Sequence, residues 1–243
     1  MPEFGLLGKN IDYSFSRTYF GDKFKREQLP FSYVNFDISE ISKVPEILAR
    51  HPELKGLNVT IPYKEAVIPY LHELDATAEK IGAVNTIKID SSGNTKGYNT
   101  DYWGFQKALE AFLPLKQKTA LILGTGGASK AIAYALRNLQ FDIQFVSRKA
   151  SESAIDYDAL NEHIIQKNFL IINCTPLGTY PRTAAAPPIP YHHIGPDHLL
   201  FDLIYNPSET TFLKNGKSRG AQISNGLKML ENQAEKAWFI WNS

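Results

Sequence analysis

A single cysteine, Cys174, in 243 residues rules out an intramolecular disulfide. No apolar run approaches the roughly 20 residues that a membrane-spanning helix needs, so no association with a bilayer is expected. The opening MPEFGLLGKN lacks the basic segment and apolar stretch of a secretory leader, and a cytoplasmic location follows as the expectation. Excess charge is also missing: 26 Lys and Arg stand against 25 Asp and Glu, with no long basic run, which argues against nucleic acid or an anionic membrane as partner. Of the histidines, His192 and His193 are adjacent in a proline-rich stretch, and no Cys, Asp or Glu cluster accompanies them at ligand spacing, so no metal is expected. What remains as partner is a small molecule. The chain has 43% hydrophobic and 12% aromatic residues, enough for sizeable cores, over a length that suits one large domain or two modest ones.

Apolar periodicity predicts strands over Phe4 to Leu7, Phe31 to Phe36, Gly56 to Val59 and Ala83 to Ile89. Helices are predicted through Tyr19, Phe20 and Phe24, over Ile41 to Ala49, around Lys64 to Leu71 and over Ala76 to Lys80. SSGN at Ser91 to Asn94 turns a hairpin, and Asn99 or Thr100 is placed to cap a helix that runs to Phe112 before Pro114. Further on, Phe169 to Asn173, Leu199 to Leu203 and Gln222 to Ser224 read as strands, Pro181 to Pro196 as a surface loop, and Leu227 to Trp241 as a helix. That last helix sets Leu230, Ala234, Ala237, Trp238 and Trp241 on one face and is expected to return to the first domain.

The most informative stretch is Thr119 to Lys149, TALILGTGGASKAIAYALRNLQFDIQFVSRK. An apolar run to Leu123 meets Gly124, Thr125, Gly126, Gly127 and Ala128, a helical pattern follows through Ile132, Ala135, Leu136 and Leu139, and Ile143 to Val146 closes the unit. Strand, glycine turn, helix and strand make a Rossmann-like nucleotide-binding half, in which the glycines admit a pyrophosphate to the free amides of the helix start. Ser129 replaces the last glycine of GxGxxG with another small residue. After the second strand, NAD sites usually place an acid for the ribose 2′-hydroxyl; here Ser147, Arg148 and Lys149 stand instead, two cations suited to the 2′-phosphate of NADP.

Hydride transfer also needs a polar substrate pocket and a group that moves the hydroxyl proton. Ser14 and Ser16, two apart in a loop, can turn both hydroxyls to one carboxylate, and solvated loop serines are the plain alternative. Lys64 in GLNVTIPYKEAV follows a strand, Asn58, Thr60 and a proline turn, so its scaffold aims it. Asp101 in GYNTDYWGF is either a helix N-terminal acid or the partner of that lysine.

Together, Ser14/Ser16, NVTIPYK, GAVNTI, GYNTD, GTGGASKA, INCTPLG and NGLKMLENQA, in this order from Ser14 to Ala234, resemble the shikimate dehydrogenase family. The resemblance implies an α/β protein with two domains: an N-terminal α/β substrate domain, residues 1–102 with 226–243, and a Rossmann-like NADP-binding domain, residues 103–225, with the cleft between them. It implies reversible reduction of 3-dehydroshikimate to shikimate by NADPH, a step of aromatic amino-acid biosynthesis, in a monomer or homodimer. Carried over residue by residue, it gives the substrate carboxylate to Ser14 and Ser16 with Thr60 and Tyr205, and the ring hydroxyls to Asn85, Asp101 and Gln233. Lys64 would be the acid/base residue beside Asp101; Gly124 to Ala128 would hold the pyrophosphate, Arg148 the 2′-phosphate, and Leu203 and Gly226 would lie by the nicotinamide.

The chain departs from the family pattern in three places. Tyr13, Ser14, Phe15, Ser16 and Arg17 stand where His-Ser-x-Ser-Pro is common, Ser147-Arg148-Lys149 stands for Asn-Arg-Thr, and Glu152 and Ser153 occupy the place of a second phosphate-binding arginine. Preference for NADP over NAD then rests on Arg148 with Lys149, and the sequence leaves activity on quinate open. Cys174 takes a usually small apolar position and reads as buried packing.

Overall fold

The computed structural model describes residues 1–12 and 14–243. In chain order its main elements are β1 (Glu3–Gly8), α1 (Phe15–Arg26), β2 (Ser32–Asp37), α2 (Val44–Arg50), β3 (Leu54–Val59), β4 (Glu73–Leu74), α3 (Ala76–Ile81), β5 (Thr86–Ile89) and β6 (Thr95–Tyr98). There follow α4 (Asp101–Leu109), β7 (Thr119–Leu123), α5 (Gly127–Asn138), β8 (Asp142–Ser147), β9 (Ala154–Asp156) and α6 (Glu162–Lys167). The chain closes with β10 (Leu170–Asn173), β11 (Leu199–Asp202), α7 (Thr211–Lys217), β12 (Gln222–Ser224) and α8 (Leu227–Trp241). They form two compact units, residues 1–100 with 234–243, and residues 101–233. Among the described residues no helix is long and apolar enough to cross a membrane.

The first unit carries a mixed sheet in the order β2-β1-β3-β5-β6-β4. β1 lies parallel to both β2 and β3, whereas β5 runs antiparallel to β3 and β6 in the hairpin that Asp90 to Asn94 turns. Each face has its own core. Leu7, Leu57, Val59 and Ile87 pack with Ile38, Val44, Val67 and Ala78 on one side. On the other, Phe4, Leu6 and Tyr33 meet Phe20 and Phe24 of α1 and Ala234, Ala237 and Trp241 of α8. Trp241 stacks on Phe4 with ring centroids 4.8 Å apart and donates its indole N–H to the Ile87 carbonyl at 2.9 Å. Gly56 makes room for it, since a Cβ there would fall 2.2 Å from the indole nitrogen.

The second unit has an all-parallel sheet in the order β12-β11-β10-β7-β8-β9. Buried on both faces, the central strands β7, β10 and β11 are almost continuously apolar, as such sheets require. Ala120 and Ile122 of β7 join Leu170, Ile172, Leu199 and Phe201 against α4, α5 and Met229, while Leu121, Leu123, Ile171 and Leu200 face Ile165, Phe212 and Leu213 of α6 and α7. The strand order departs in opposite directions from β7, to β8 and to β10, so the carboxyl ends of β7 and β10 flank a topological switch point, where open α/β sheets take their ligands.

Several expectations need correction. Lys64 to Leu71 forms successive turns and a single 3-10 turn at Ile68–Tyr70, not an α-helix. A helix would give the Lys64 carbonyl to Ile68, but Val84 N–H takes it at 2.7 Å and Ile68 N–H turns to Glu65; Pro69 has no N–H to offer. The strand expected from Ala83 starts only at Thr86; Val84 gives its N–H to the Lys64 carbonyl instead of a neighbouring strand. Ser16 lies inside α1 instead of a loop. The proline-rich stretch before Pro196 is not wholly superficial, since Ile189 and Ile194 insert into the core beneath it. The last helix, Leu227–Trp241, is divided between the units: its residues up to Gln233 belong to the second, and only from Ala234 does it build the first.

Candidate active site

In the first unit the expected substrate residues gather where β1 and β3 end. These parallel neighbours terminate at the same edge, and the Thr60 N–H donates to the Leu7 carbonyl at 2.9 Å. The approach is close enough to demand glycine at position 8, where a Cβ would lie 2.6 Å from both Thr60 Cγ2 and Ile11 Cγ2. The loop after β1 leads into α1 through Ser14, whose hydroxyl accepts the Arg17 N–H at 3.4 Å and so caps the helix. Ser14, Ser16, Thr60 and Lys64 are all half-buried. Tyr13, the first departure from the family pattern, lies outside the described residues.

Asn85 is fixed from behind. Its Oδ1 accepts the Thr100 N–H at 2.6 Å and its Nδ2 donates to Thr100 Oγ1 at 3.0 Å. Its own carbonyl takes the Val59 N–H at 2.8 Å and the Asn58 amide at 3.4 Å. Asn58 in turn accepts the Tyr33 hydroxyl at 2.8 Å. Burial pushes the Tyr33 pKa up, against which the neighbouring Ser16 hydroxyl acts in the opposite sense. A buried polar layer of Tyr33, Asn58, Thr86 and Thr100 thus supports the edge that carries Ser16 and Asn85; of these four the sequence reading singled out Asn58, as part of the scaffold of Lys64, and Thr100, as a helix cap. Their polar pattern inside a strand, Asn58 among Leu57 and Val59, is the signal that marks them. Val84 ties its N–H to Lys64, so Lys64 and Asn85 stand on adjoining backbone.

Asp101 opens α4 in the second unit with 4% exposure, and Gln233 is buried to a similar degree beside Gly104. Asp101 and Lys64, expected as partners, therefore belong to different units.

In the second unit the expected cofactor residues lie at or after the carboxyl ends of the parallel strands. Gly124, at φ +107, leaves β7; a Cβ there would touch Cys174 and Thr175 of the loop after β10 at 3.3–3.4 Å, across the switch point. Gly126 caps α5 with no side chain on its amides, and a Cβ at that position would meet nothing within 4 Å. Protein packing therefore does not explain Gly126, and the bare helix N-terminus is open to the close approach of an anion. Thr125 and Gly126 are exposed, Gly127 and Ala128 half-buried. Ser129 is buried and donates to the Gly126 carbonyl at 2.6 Å, which fits a small residue in the third glycine's place. Arg148 and Lys149 emerge exposed from β8, and among the described residues neither is engaged in an ion pair. Ser147 turns its hydroxyl to the Lys149 carbonyl, which curls the chain at that point.

Leu203 and Tyr205 follow β11 and are half-buried. Gly226 follows β12, but a Cβ on it would fall 2.1 Å from the Leu203 carbonyl oxygen, so this glycine is required by backbone packing against Leu203 whatever it does for a cofactor. Cys174 is half-buried against the core, and burial pushes its thiol pKa up, away from reactivity.

Residues 6–87 match the model of the shikimate dehydrogenase substrate binding domain. The NADP(+) shikimate dehydrogenase of Methanosphaera stadtmanae is 39% identical over 256 residues, spanning 98% of this chain and 90% of that protein. The chain belongs to the shikimate dehydrogenase family. Solved shikimate dehydrogenases share its fold: that of Aquifex aeolicus superposes with a TM-score of 0.89 at 33% identity, covering 100% of this chain and 92% of that one. The Thermus thermophilus shikimate dehydrogenase in complex with NADP(H) and shikimate gives 0.88 at 30% identity, covering 99% and 93%.

The expectation of no metal rests on the spacing of the histidines in the sequence. Elsewhere, at the amino ends of β1 and β3, Glu3, His51 and Glu53 bring three ligating groups within 4.8 Å of one another. His51 Nδ1 lies 3.0 Å from Glu3 Oε2 and 3.4 Å from Glu53 Oε1, an arrangement that an ion pair accounts for.

Proposed function

We propose that this chain is an NADP-dependent shikimate dehydrogenase that interconverts 3-dehydroshikimate and shikimate in aromatic amino-acid biosynthesis. The observation that carries the reading is the gathering of Ser14, Ser16, Thr60, Lys64 and Asn85 at one end of the first sheet, inside the stretch that matches the family's substrate binding domain. We assign substrate binding to the unit of residues 1–100 with 234–243 and cofactor binding to that of 101–233.

In this assignment Ser14, Ser16, Thr60 and Tyr205 receive the carboxylate, and Asn85, Asp101 and Gln233 the ring hydroxyls. Asn85 suits the task because Thr100 and Thr86 hold its amide plane, so little entropy is lost on contact with a ligand. The nicotinamide supplies hydride when NADPH is bound. Lys64 gives its proton to the C3 oxygen in the reductive direction and takes it back in the oxidative one, and Asp101 favours the protonated lysine. The bare amides at Gly126 to Ala128 receive the pyrophosphate, while Arg148 and Lys149 face the 2′-phosphate, with Ser147 shaping their turn. Leu203 and Gly226 belong to the floor beneath the nicotinamide.

Following NADPH absorbance with 3-dehydroshikimate tests the reading directly. Turnover is expected, with kcat/KM higher for NADPH than NADH and higher for shikimate than quinate in the oxidative direction. Tight NADPH binding without turnover would instead mark a catalytically silent nucleotide-binding member of the family.

A further inference from the structure

Asp202 is the last residue of β11 and has no exposed surface. It pairs in register with Asn173, the last residue of β10, and the two side chains are joined at 3.1 Å. Asp202 Oδ1 also accepts the Ile204 N–H at 3.0 Å, and Oδ2 accepts the Thr210 hydroxyl at 2.6 Å. Asn173 extends the same network into the other loop: its Oδ1 accepts the N–H and the hydroxyl of Thr175 at 3.0 and 2.6 Å, and its Nδ2 donates to the Leu177 carbonyl at 3.2 Å. Ile204, held by the carboxylate, passes its carbonyl to the Gly226 N–H at 3.0 Å. One buried acid therefore anchors the turns after β10, β11 and β12, around the carboxyl edge where the cofactor residues lie.

We propose that Asp202 is a positioning residue whose ionised carboxylate holds the loops after β10 and β11 in one conformation, and so places Leu203 for the nicotinamide and Tyr205 for the substrate. This rests on the functional reading above. A neutral amide changes this network, because its NH2 in place of Oδ2 would force the Thr210 hydroxyl to reverse from donor to acceptor and would bring a second hydrogen that needs a partner. Buried acids without a cation beside them are costly and are kept where their charge has a use. The titratable groups facing Asp202 are Cys174, from the loop after β10, and Tyr191, from the proline-rich stretch, neither of them cationic. Burial pushes the Asp202 pKa up to about 6 against three hydrogen bonds that pull it down, so the acid is ionised at neutral pH and gains a proton in mild acid.

The test is NADPH affinity by fluorescence titration, with KM and kcat alongside, from mild acid to pH 8 in the intact protein. Asp202→Asn is expected to weaken NADPH about tenfold to a hundredfold at pH 8, the scale of a lost charge-assisted hydrogen bond. Wild type should lose extra affinity as pH falls through about 6, and the variant should not. The cofactor's own 2′-phosphate titrates nearby but contributes to both proteins, so the difference between them isolates Asp202. Should Asp202→Asn not fold, Thr210→Val and Thr210→Ser decide: loss with valine and recovery with serine, at unchanged melting temperature, supports the positioning role. Normal affinity and kinetics in a folded Asp202→Asn, or equal behaviour of the two Thr210 variants, would overturn it. If the enzyme fails to turn over 3-dehydroshikimate yet NADPH binding still depends on Asp202, the functional reading falls and the positioning role stands.

Discussion

Ser14 carries two duties on one hydroxyl, because the group assigned to the substrate carboxylate also caps α1. Ser14→Ala is therefore expected to raise KM while largely sparing kcat, and to cost about 1 kcal/mol of stability as caps usually do. Lys64 differs, since a proton donor acts only in the transition state. Lys64→Ala should lower kcat by about 10² to 10⁴ with a much smaller change in KM. Steady-state kinetics and a denaturant titration on both variants separate these signatures; near-normal kcat in Lys64→Ala would assign the proton to water or another residue. Asp202 makes a pH prediction with a definite sign. Its carboxyl titrates near 3.8 unfolded and at about 6 folded, so within that window the native state holds more protons. Its contribution to stability is present below the lower value and is lost as pH rises through the upper one. Relative to Asp202→Asn, wild-type stability should fall by about 3 kcal/mol over this range. A flat difference between the two unfolding curves would contradict it.

At the scale of elements, the β7-α5-β8 unit was legible in the sequence because everything that makes it is local: an apolar strand, glycines at the turn, an apolar stripe on the helix and a second strand. Local pattern failed where distant partners decide. Lys64 to Leu71 has helical periodicity, but Val84 claims its first carbonyl; α6 and α7, short and capped by Asn161 and Thr210, carried too little periodicity to be noticed. The site followed the same rule. The side chains assigned to ligands are read from their type at a motif, whereas Tyr33, Asn173 and Asp202, which hold others, sit in apolar strands and stand out once the strands are paired. Gly226 shows the consequence of reading a motif glycine solely as a ligand contact. With the Leu203 oxygen 2.1 Å from a would-be Cβ, Gly226→Ala must displace the Leu203–Ile204 turn. We expect a loss of about 1–3 kcal/mol, typical of overpacking, together with weaker NADPH binding. Unchanged denaturant midpoints would show that the turn yields without cost.

At the scale of the whole molecule, the first unit is discontinuous and depends on its distant segment. Ala234, Ala237 and Trp241 fill the face formed by Phe4, Phe20 and Phe24, and Trp241 bonds β5 directly. Removing residues 234–243 should raise amide hydrogen exchange through β1, β2 and β3 while the strands β7 to β12 keep their protection. Equal loss in both sheets would mean that the units do not fold separately. The same connectivity orders events on the ribosome. Residues 101–233 emerge complete and can fold as a unit, as domains do during synthesis, while the aromatic face of Phe4, Phe20, Phe24 and Phe31 waits for Trp238 and Trp241 to be made. For that interval, at about 5–20 residues per second, the half-built N-terminal sheet presents a cluster of aromatic rings to water, and it is there that a holding chaperone would find its hold on the nascent protein.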